Sequence, residues 1–239
     1  MTSPSLARRC IHISAVIGLL VAVLSFCYLM FAYELVPGAW RFVERRHPAI
    51  DEIGTRAFTS AGIPADPFNI AFVGSDAALH KKMLAAGWNP ADPITLRSSL
   101  RIAKDSVMHR PYPYAPVSDL YVDGKKQYYA FEQAQGGDPS KRHHVRFWLV
   151  PIYDNLNRPL WIGAATFDSG VGLSHTTGQV THHIAAQVDQ ERDKLITDLQ
   201  HNGDVVVTWI DPFHTVLEGR NGGGDRFVTD GRLAIFSEH

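Results

Sequence analysis

The clearest structural signal in the sequence is HHVRFWLVPIYDNLNRPLWIGAATFD, which covers residues 143–168. Two runs rich in aromatic and β-branched side chains, His143–Pro151 and Leu160–Asp168, flank a segment that contains asparagine and proline. Such runs are typical of strands, and asparagine and proline are typical of turns. The stretch therefore predicts two successive strands joined by a turn.

Similar runs occur on both sides of this stretch. Further strands are predicted at Asn69–Gly74, Asp119–Val122, Gln127–Gln133, Val205–Ile210 and Arg232–Phe236. Helices are predicted from Ser75 to about Ala86, from about Thr95 to His109, and from about Asp189 to Gln200. Because consecutive strands with short turns imply antiparallel pairing, the order predicts an α+β fold: one soluble domain with a mainly antiparallel sheet and about three helices.

Proline and glycine mark the irregular segments. Residues 35–65 are predicted to be a juxtamembrane linker with room for a short helix at Asp51–Ala61, so the soluble domain is placed at residues 66–239. Arg110–Pro116 contains three prolines and is predicted to be extended. Asp168–Gly172 is interpreted as a glycine loop after a strand, and Asn221–Asp225 as a turn before the last strand.

The N-terminal segment Ile13–Tyr33 is uncharged and mostly apolar. About 20 such residues in a helix cross the hydrocarbon core of a bilayer. Arg8 and Arg9 precede it and no A-x-A cleavage site follows it, so residues 1–34 are predicted to be a cytoplasmic tail and an uncleaved anchor. Three arginines between residues 41 and 46 favour the opposite orientation, but a short tail with two arginines usually stays inside. We expect a single-pass inner-membrane protein with a periplasmic domain.

The charge of the chain is nearly balanced overall and uneven along the sequence. A net charge of −1 gives no global basic field of the kind that attracts nucleic acid, so nucleic acid is not expected as a partner. Residues 81–146 contain 11 basic and 6 acidic residues, whereas residues 168–239 contain 5 basic and 11 acidic residues. The only cysteines, Cys10 and Cys27, lie in or beside the apolar segment, which excludes a disulfide or a cysteine zinc site in the domain.

The segment KRHHVRFW, residues 141–148, is the strongest candidate for a binding surface. Side chains alternate along a strand, so Arg142, His144, Arg146 and Trp148 should share one face. Two guanidiniums beside an imidazole suit a phosphate or carboxylate, because arginine donates planar pairs of hydrogen bonds. Together with this face, the predicted anion-binding residues are Arg97, Arg101, Arg110, Arg142 and Arg146. The alternative is a solvated face that pairs with the acidic second half.

Asp168 and four histidines are the candidates for acid/base chemistry. Asp168 follows a strand and precedes a glycine segment, which is a common placement for a catalytic carboxylate and equally for a turn. His175, His182 and His183 could ligate a metal with Asp168 or Asp189, but their spacing matches no strong zinc signature. Neighbouring histidines on an extended chain face opposite ways, so only one of His182 and His183 should contribute. No metal ligands are assigned.

Several segments in the same order resemble the LssY C-terminal domain family. They include NIAFVGSDAALHKKMLAAGWNPADPITLRSSLRIA, HRPYPYAPVSDLYVDGKKQYYAFEQ, RHHVRFW, PLWIGAATFDSGVGL, THHI with VDQERD, and GGGDRFVTDGR, from about residue 66 to the end. The resemblance implies a bacterial cell-envelope protein, because the family's domain is found with membrane phosphatases of the type 2 phosphatidic acid phosphatase class and with DedA-like segments. The multi-span phosphatase part is not in this sequence, so that activity is not carried over.

Three functions remain open at this point. The first is a membrane-anchored domain that binds anionic envelope groups such as phospholipid, polyprenyl phosphate or acidic glycan. The second is a hydrolase, phosphoester-directed in one version, in which the catalytic residues are Asp168, His144, His182 and His183. The third is an interaction module for a membrane-protein partner. No cofactor is indicated, and both chemical hypotheses require the basic strand, Asp168 and the histidines to meet in one cavity.

Overall fold

The fold is described from a computed structural model that covers residues 6–36, 39, 54–92, 95, 117–136, 140–201 and 205–238. Two predicted segments lie outside these residues: the helix Thr95–His109, except for Thr95 itself, and the extended segment Arg110–Pro116. The predicted anion-binding residues Arg97, Arg101 and Arg110 therefore also lie outside the described part of the chain. The described part contains the N-terminal helix and an α+β domain.

The N-terminal helix α1 spans Leu6–Met30 and continues as a π-helical turn, Phe31–Leu35. Within these two elements, the 22 residues Ser14–Leu35 contain an 18-residue window with a mean hydropathy of 2.5, and their side chains are almost all exposed. A helix of this length and composition is able to cross a membrane. The described residues therefore include one candidate membrane span, as the sequence predicted.

The domain is built on one large sheet. Its strands are β3 (Ile70–Val73), β4 (Asn89–Pro90), β7 (Tyr129–Ala134), β8 (Arg142–Tyr153), β9 (Pro159–Leu173), β10 (Val180–Ile184), β11 (Val205–Ile210) and β14 (Leu233–Glu238). The order is β11-β14-β3-β9-β8-β7-β4, with β10 paired to β9 beside this path. The β14–β3 pair is parallel and the other pairs are antiparallel, which confirms the predicted mainly antiparallel sheet.

Two helices cover one face of this sheet. They are α2 (Asp76–Ala85) and α3 (Val188–His201). Leu79 and Met83 from α2 and Leu195 from α3 pack on Phe72 and Phe147 of the sheet, and all five are fully buried. The cap of α2 is as predicted, since the Ser75 hydroxyl accepts a hydrogen bond from the Ala78 amide at 3.2 Å. The helical layer and the sheet confirm the α+β class.

A second, smaller sheet covers part of the opposite face. It consists of β1 (Arg56–Phe58), β2 (Pro64–Pro67), β5 (Tyr121–Val122) and β6 (Lys125–Lys126) in the order β2-β1-β5-β6. Ala57, Ala65 and Leu120 from this layer pack against Trp148 and Ile162 of the large sheet. The predicted face of β8 that carries Arg142, His144 and Arg146 therefore lies between two sheets.

The structure differs from the sequence prediction in the linker. Residues 56–58 form strand β1 where a helix over Asp51–Ala61 was predicted, and residues 51–53 of that segment lie outside the described chain. β1 pairs with β2 and β5, and the Phe68 amide donates to the Thr55 carbonyl at 2.8 Å. This long-range pairing outweighs local helix preference, so residues 56–67, predicted to belong partly to the linker, are part of the folded domain.

The prediction of a loop at Asp168–Gly172 is wrong. β9 continues through it to Leu173 and pairs with the unpredicted strand β10, with His182 opposite Val171 and His183 opposite Gly170. A Cβ on Gly172 would lie 2.5 Å from Nε2 of His183. The glycine is therefore needed for the close approach of the His183 ring, and it does not mark a loop. The remaining strands, β12 (Glu218–Arg220) and β13 (Arg226–Val228), form a hairpin around the predicted turn Asn221–Asp225.

Candidate functional site

A cavity of about 470 Å³ lies between the two sheets and extends to the β9–β10 hairpin. We call it the site cavity. Its acidic, basic and histidine lining is Asp66, Asp119, Arg142, His144, Arg146, Asp168 and His182. Much of its other lining is polar and uncharged, including Thr59, Ser60, Ser118, Thr177, Gln179 and Asn221. Its size suits a small polar ligand or the headgroup of a larger one.

The strand β8 supplies one wall of the site cavity. Arg142, His144 and Arg146 occupy alternate positions and share one face, as the strand period predicts. The structure buries this face, with residue exposures of 2%, 2% and 3% respectively. The alternative of a solvated face is therefore wrong, because the small sheet covers it. Buried charges require partners, and the neighbouring strands provide them.

Asp168 on β9 is the point where these groups meet. Its Oδ2 atom lies 3.0 Å from Nε of Arg142 and 4.0 Å from Nδ1 of His182, and its Oδ1 atom lies 3.1 Å from Nδ1 of His144. Burial by itself raises the pKa of the Asp168 carboxyl, but contact with His144, His182 and Arg142 outweighs it and holds the pKa well below its usual range. Asp168 is therefore an anionic centre within a basic environment.

His144 is fixed by its neighbours. Its Nε2 atom lies 3.0 Å from a terminal nitrogen of Arg146 and 2.6 Å from the Thr166 hydroxyl. Because a guanidinium only donates, Nε2 must accept, and the neutral ring then carries its proton on Nδ1, on the side of Asp168. The 3.1 Å approach of Nδ1 to Asp168 falls short of hydrogen-bond geometry. His144 is therefore a buried residue that helps to hold the wall of the site cavity in place.

His182 on β10 is more exposed than the other residues that contact Asp168. Its side chain is 26% exposed, but its Nε2 atom is buried and has no hydrogen-bond partner among the residues that the structure describes. Burial, together with the nearby charges of Arg142 and Arg146, lowers the pKa of His182 to about 4, although Asp168 opposes the shift. The ring is therefore neutral at pH 7 and presents a lone pair that can accept a proton.

The lowered pKa of His182 predicts an acid-dependent loss of stability. An unfolded histidine titrates near pH 6.5, so between pH 6.5 and 4 the unfolded chain binds a proton that the folded chain does not. The free energy of unfolding should fall across this window by up to roughly 3 kcal/mol. Chemical unfolding of the full chain in detergent at pH 7.5 and 4.5 measures this change.

The matched variants for this measurement are His182→Gln and His201→Gln. His201 is exposed at the end of α3, so its replacement should leave the pH slope unchanged. His182→Gln should flatten the slope, because glutamine does not titrate. Equal slopes in all three proteins would show that His182 is not the group responsible. Asp168 interferes little at pH 7.5 and 4.5, since a carboxyl with a depressed pKa loses its stabilising effect mainly below the unfolded aspartate pKa of about 3.9.

The neighbouring residue His183 lies on the other side of β10. Its Nδ1 atom lies 2.7 Å from Oδ1 of Asp225, and its ring centroid is 5.2 Å from that of His175. The two adjacent histidines face opposite sides of the strand, as the strand period predicts, so His182 is the one beside Asp168 and His183 pairs with Asp225. Asp189 is engaged by Arg192 and Thr229 instead of a histidine.

The second basic residue of the predicted anion site is also paired. Arg146 donates to Oδ2 of Asp66 at 2.9 Å and to the Ser118 carbonyl and hydroxyl at 3.1 and 3.2 Å. Arg142 donates to Oε2 of Glu132 at 2.9 Å as well as to Asp168. Both guanidiniums are thus held by carboxylates, which reduces the positive charge that they offer to a ligand.

Sequence reasoning missed Asp66, Ser118 and Glu132. Asp66 lies in a proline-rich stretch at the predicted edge of the linker, and Ser118 follows the proline-rich sequence Arg110–Pro116, so neither has a periodic pattern around it. Glu132 carried a usable signal. It is an acid at a strand position flanked by aromatic residues, and such an acid needs a basic partner when it is buried.

The end of the apolar N-terminal helix borders the site cavity. Tyr33 contributes to its lining, and Ala32 is fully buried. The Tyr28 hydroxyl donates to the Gly178 carbonyl at 2.5 Å, and the Gln179 side-chain amide donates to the Ala32 carbonyl at 2.9 Å. The helix end therefore packs against the turn between β9 and β10.

A separate buried ion cluster has a structural role. The Arg192 side chain is fully buried on α3 and donates to both carboxylate oxygens of Asp230, at 2.8 and 2.9 Å. It also contacts Asp189 and Asp193, and these carboxylates raise the pKa of Arg192 against the opposing effect of burial. None of these residues lines the site cavity. The cluster joins α3 to the segment before β14 through the pair of Arg192 and Asp230.

Comparison with known proteins gives one match. A family model described as LssY C-terminus matches residues 50–233, which is more than half of the chain. No curated protein and no solved structure matches the chain. The matched range begins before β1, in agreement with the structure, which includes β1 and β2 in the domain.

Proposed function

The chain belongs to the LssY C-terminal family, and we propose that this member is a membrane-anchored hydrolase whose active site is the site cavity. The observation that carries the proposal is the meeting of Asp168, His182 and Arg142 at one wall of that cavity. The proposed substrate is a phosphoester in the polar headgroup of a membrane lipid, a class that includes phospholipids and polyprenyl phosphates.

His182 is the general base in this proposal. Its ring is neutral at pH 7, and Nε2 is without a hydrogen-bond partner in the described part of the chain. A water molecule beside Nε2 would transfer a proton to it while the water oxygen attacks phosphorus. The departing oxygen, on the opposite side of phosphorus, would take a proton from solvent, and the imidazolium would release its proton to solvent, which balances the reaction and restores the neutral ring.

Asp168 and His144 act as positioning residues for this base. Asp168 lies behind His182, where its negative charge favours the imidazolium that forms during attack. The 4.0 Å separation is longer than a hydrogen bond, so the proposal requires this contact to shorten when substrate binds. His144 and Arg142 hold the carboxylate from its other sides. A carboxylate with a depressed pKa keeps its charge throughout the working range of the base.

The arginines favour an anionic group in the substrate. Arg142 and Arg146 line the site cavity, and a guanidinium stabilises the charge that develops on phosphoryl oxygens. This same observation supports a second candidate function, binding of an anionic headgroup without turnover. Existing pairs with Asp66, Glu132 and Asp168 make pure anion binding the weaker candidate, because a ligand has to compete with three carboxylates.

The contacts of the N-terminal helix support access of a membrane lipid to the site cavity. If Ser14–Leu35 spans the bilayer, Tyr33 lies at its interface, and this residue lines the site cavity. Val171 and Leu173 on the β9–β10 hairpin are also large, apolar and exposed. A lipid headgroup would reach the site cavity without leaving the bilayer surface. The domain lies on the exported side in this proposal, as the arginines before the helix predict.

The test is a hydrolysis assay on the full chain in detergent or nanodiscs. The panel contains phospholipid and polyprenyl phosphoesters, with carboxylic esters and glycosides as other bond classes, each with and without divalent cations. We expect turnover of a phosphoester, at least about 100-fold lower in His182→Gln than in the wild type. His201→Gln is the matched control and should retain full turnover, since His201 is exposed on α3.

Two outcomes would contradict the proposal. One is turnover that His182→Gln leaves unchanged, which would move the chemistry elsewhere. The other is absence of turnover on the whole panel together with saturable binding of anionic lipid vesicles, which would establish the binding function. Neutral vesicles of phosphatidylcholine are the comparison for that binding measurement.

A further inference from the structure

We propose that His175, His183 and Asp225 form a binding site for a divalent transition-metal ion, with zinc as the best fit. One nitrogen from each histidine and one carboxylate oxygen of Asp225 all lie within 4.8 Å of one another. His183 lies on the opposite face of β10 from His182, and the site shares none of the residues assigned to hydrolysis. The inference therefore stands independently of the proposed function.

The chemistry of the ligand set points to zinc. Imidazole nitrogens suit zinc, copper, iron and nickel, whereas magnesium and calcium prefer sets made of oxygen. Two histidines and one carboxylate leave a fourth tetrahedral position for water. Zinc–ligand bonds of about 2.0–2.1 Å imply ligand atoms roughly 3.3 Å apart. The His175 ring is exposed, and the proposal requires its nitrogen to move closer to the other two ligand atoms when the ion binds.

The nitrogen that His183 would offer can be identified. Nδ1 faces Asp225 at 2.7 Å, while Nε2 packs against Gly172, where an added Cβ would lie 2.5 Å away. Binding through Nδ1 would use the tautomer that carries its single ring proton on Nε2, so that the Nδ1 lone pair faces the metal. The contact between Nδ1 and the Asp225 carboxylate is short enough for both atoms to become ligands of one ion.

The three ligands are held in place by their own segments. The His175 amide donates to the Gly223 carbonyl at 2.8 Å, which fixes the β9–β10 turn to the β12–β13 turn. The Asp225 amide donates to Oδ1 of Asn221 at 2.9 Å, and Oδ2 of Asp225 accepts from the Ile184 amide at 3.1 Å. This leaves Oδ1 directed at His183. Preorganisation of this kind lowers the cost of assembling a metal site.

A bound ion would also fix a wall of the site cavity. His182 and His183 are adjacent on β10 and face opposite sides, one towards Asp168 and the other towards Asp225. Tying His183 and Asp225 to His175 would therefore join β10, the β9–β10 turn and the β12–β13 turn. The ion acts through structure in this proposal and takes no part in bond cleavage.

Metal titration of the full chain in detergent tests the site. Calorimetry with Zn²⁺ alone should give one tight site per chain, and Mg²⁺ at the same concentration should give no comparable heat. His175→Ala and His183→Ala should each lower the zinc affinity by at least about 100-fold, while His201→Ala should leave it unchanged. Zinc should raise the melting temperature of the wild type and not that of His175→Ala.

The metal titration can test the site even if one of the two histidine variants does not fold. His175 is exposed and its side chain has ring contacts with His183 only in the described chain, so His175→Ala is expected to fold even if His183→Ala does not. Circular dichroism checks both variants before titration. Wild-type affinity in a folded His175→Ala, or absence of zinc binding by the wild type, would overturn the proposal whatever the hydrolysis assay gives.

Discussion

Asp168→Asn is expected to lower turnover of the phosphoester substrate by a factor of about 10³ or more. Asparagine keeps the size of the side chain but removes the negative charge opposite His182. The imidazolium that forms during attack would then face Arg142 without a balancing carboxylate, which raises the barrier. The loss should fall mainly on kcat, because the charge is needed in the transition state more than in the bound ground state.

Asp154→Asn is the matched control for this prediction. Asp154 lies at the far end of the β8–β9 hairpin, where it pairs with Arg158 near the surface, and it does not line the site cavity. The same chemical change there should leave kcat and KM unchanged. Steady-state kinetics on both variants, with melting temperatures to confirm folding, measures the effect. Equal turnover in Asp168→Asn and the wild type would remove Asp168 from the mechanism.

The sheet could be predicted where strand signals are local. β11 begins and ends as predicted, β8 and β9 contain the predicted runs, and α3 differs from its prediction by one residue at each end. β10 was missed because His182 and His183 interrupt any apolar pattern, and its pairing with β9 depends on glycines that read as a loop. β1 was missed because only its partners, β2 and β5, make it a strand.

Part of the site could also be predicted, because it depends on the local alternation of side chains along a strand. Alternation along β8 placed Arg142, His144 and Arg146 on one face, and β9 brought Asp168 beside them. Burial of that face could not be predicted, since a strand with charged residues on one side is typical of a half-solvated sheet. Asp66 reaches Arg146 across 80 residues of sequence, and no local pattern reports a contact of that range.

Arg142→Met should lower the free energy of unfolding by roughly 3–5 kcal/mol. The Arg142 side chain is 3% exposed and contacts two carboxylates, Glu132 at 2.9 Å and Asp168 at 3.0 Å, whose exposures are 1% and 2%. Methionine has a similar volume and leaves no large void, but it leaves two buried negative charges without this partner. The loss of stability therefore comes mainly from the uncompensated buried charges, which cost more free energy than the loss of one contact.

Arg158→Met separates this effect from the general effect of removing an arginine. Arg158 is 34% exposed and pairs with Asp154, which is 24% exposed, so water compensates for the lost pair and the change should stay within about 1 kcal/mol. Urea unfolding of both variants at pH 7.5 gives the comparison. If Arg142→Met costs no more than Arg158→Met, then Glu132 and Asp168 are not both ionised in the fold. Unchanged turnover in Asp168→Asn would then identify Asp168 as the uncharged residue, and the proposed mechanism would lose the charge that supports His182.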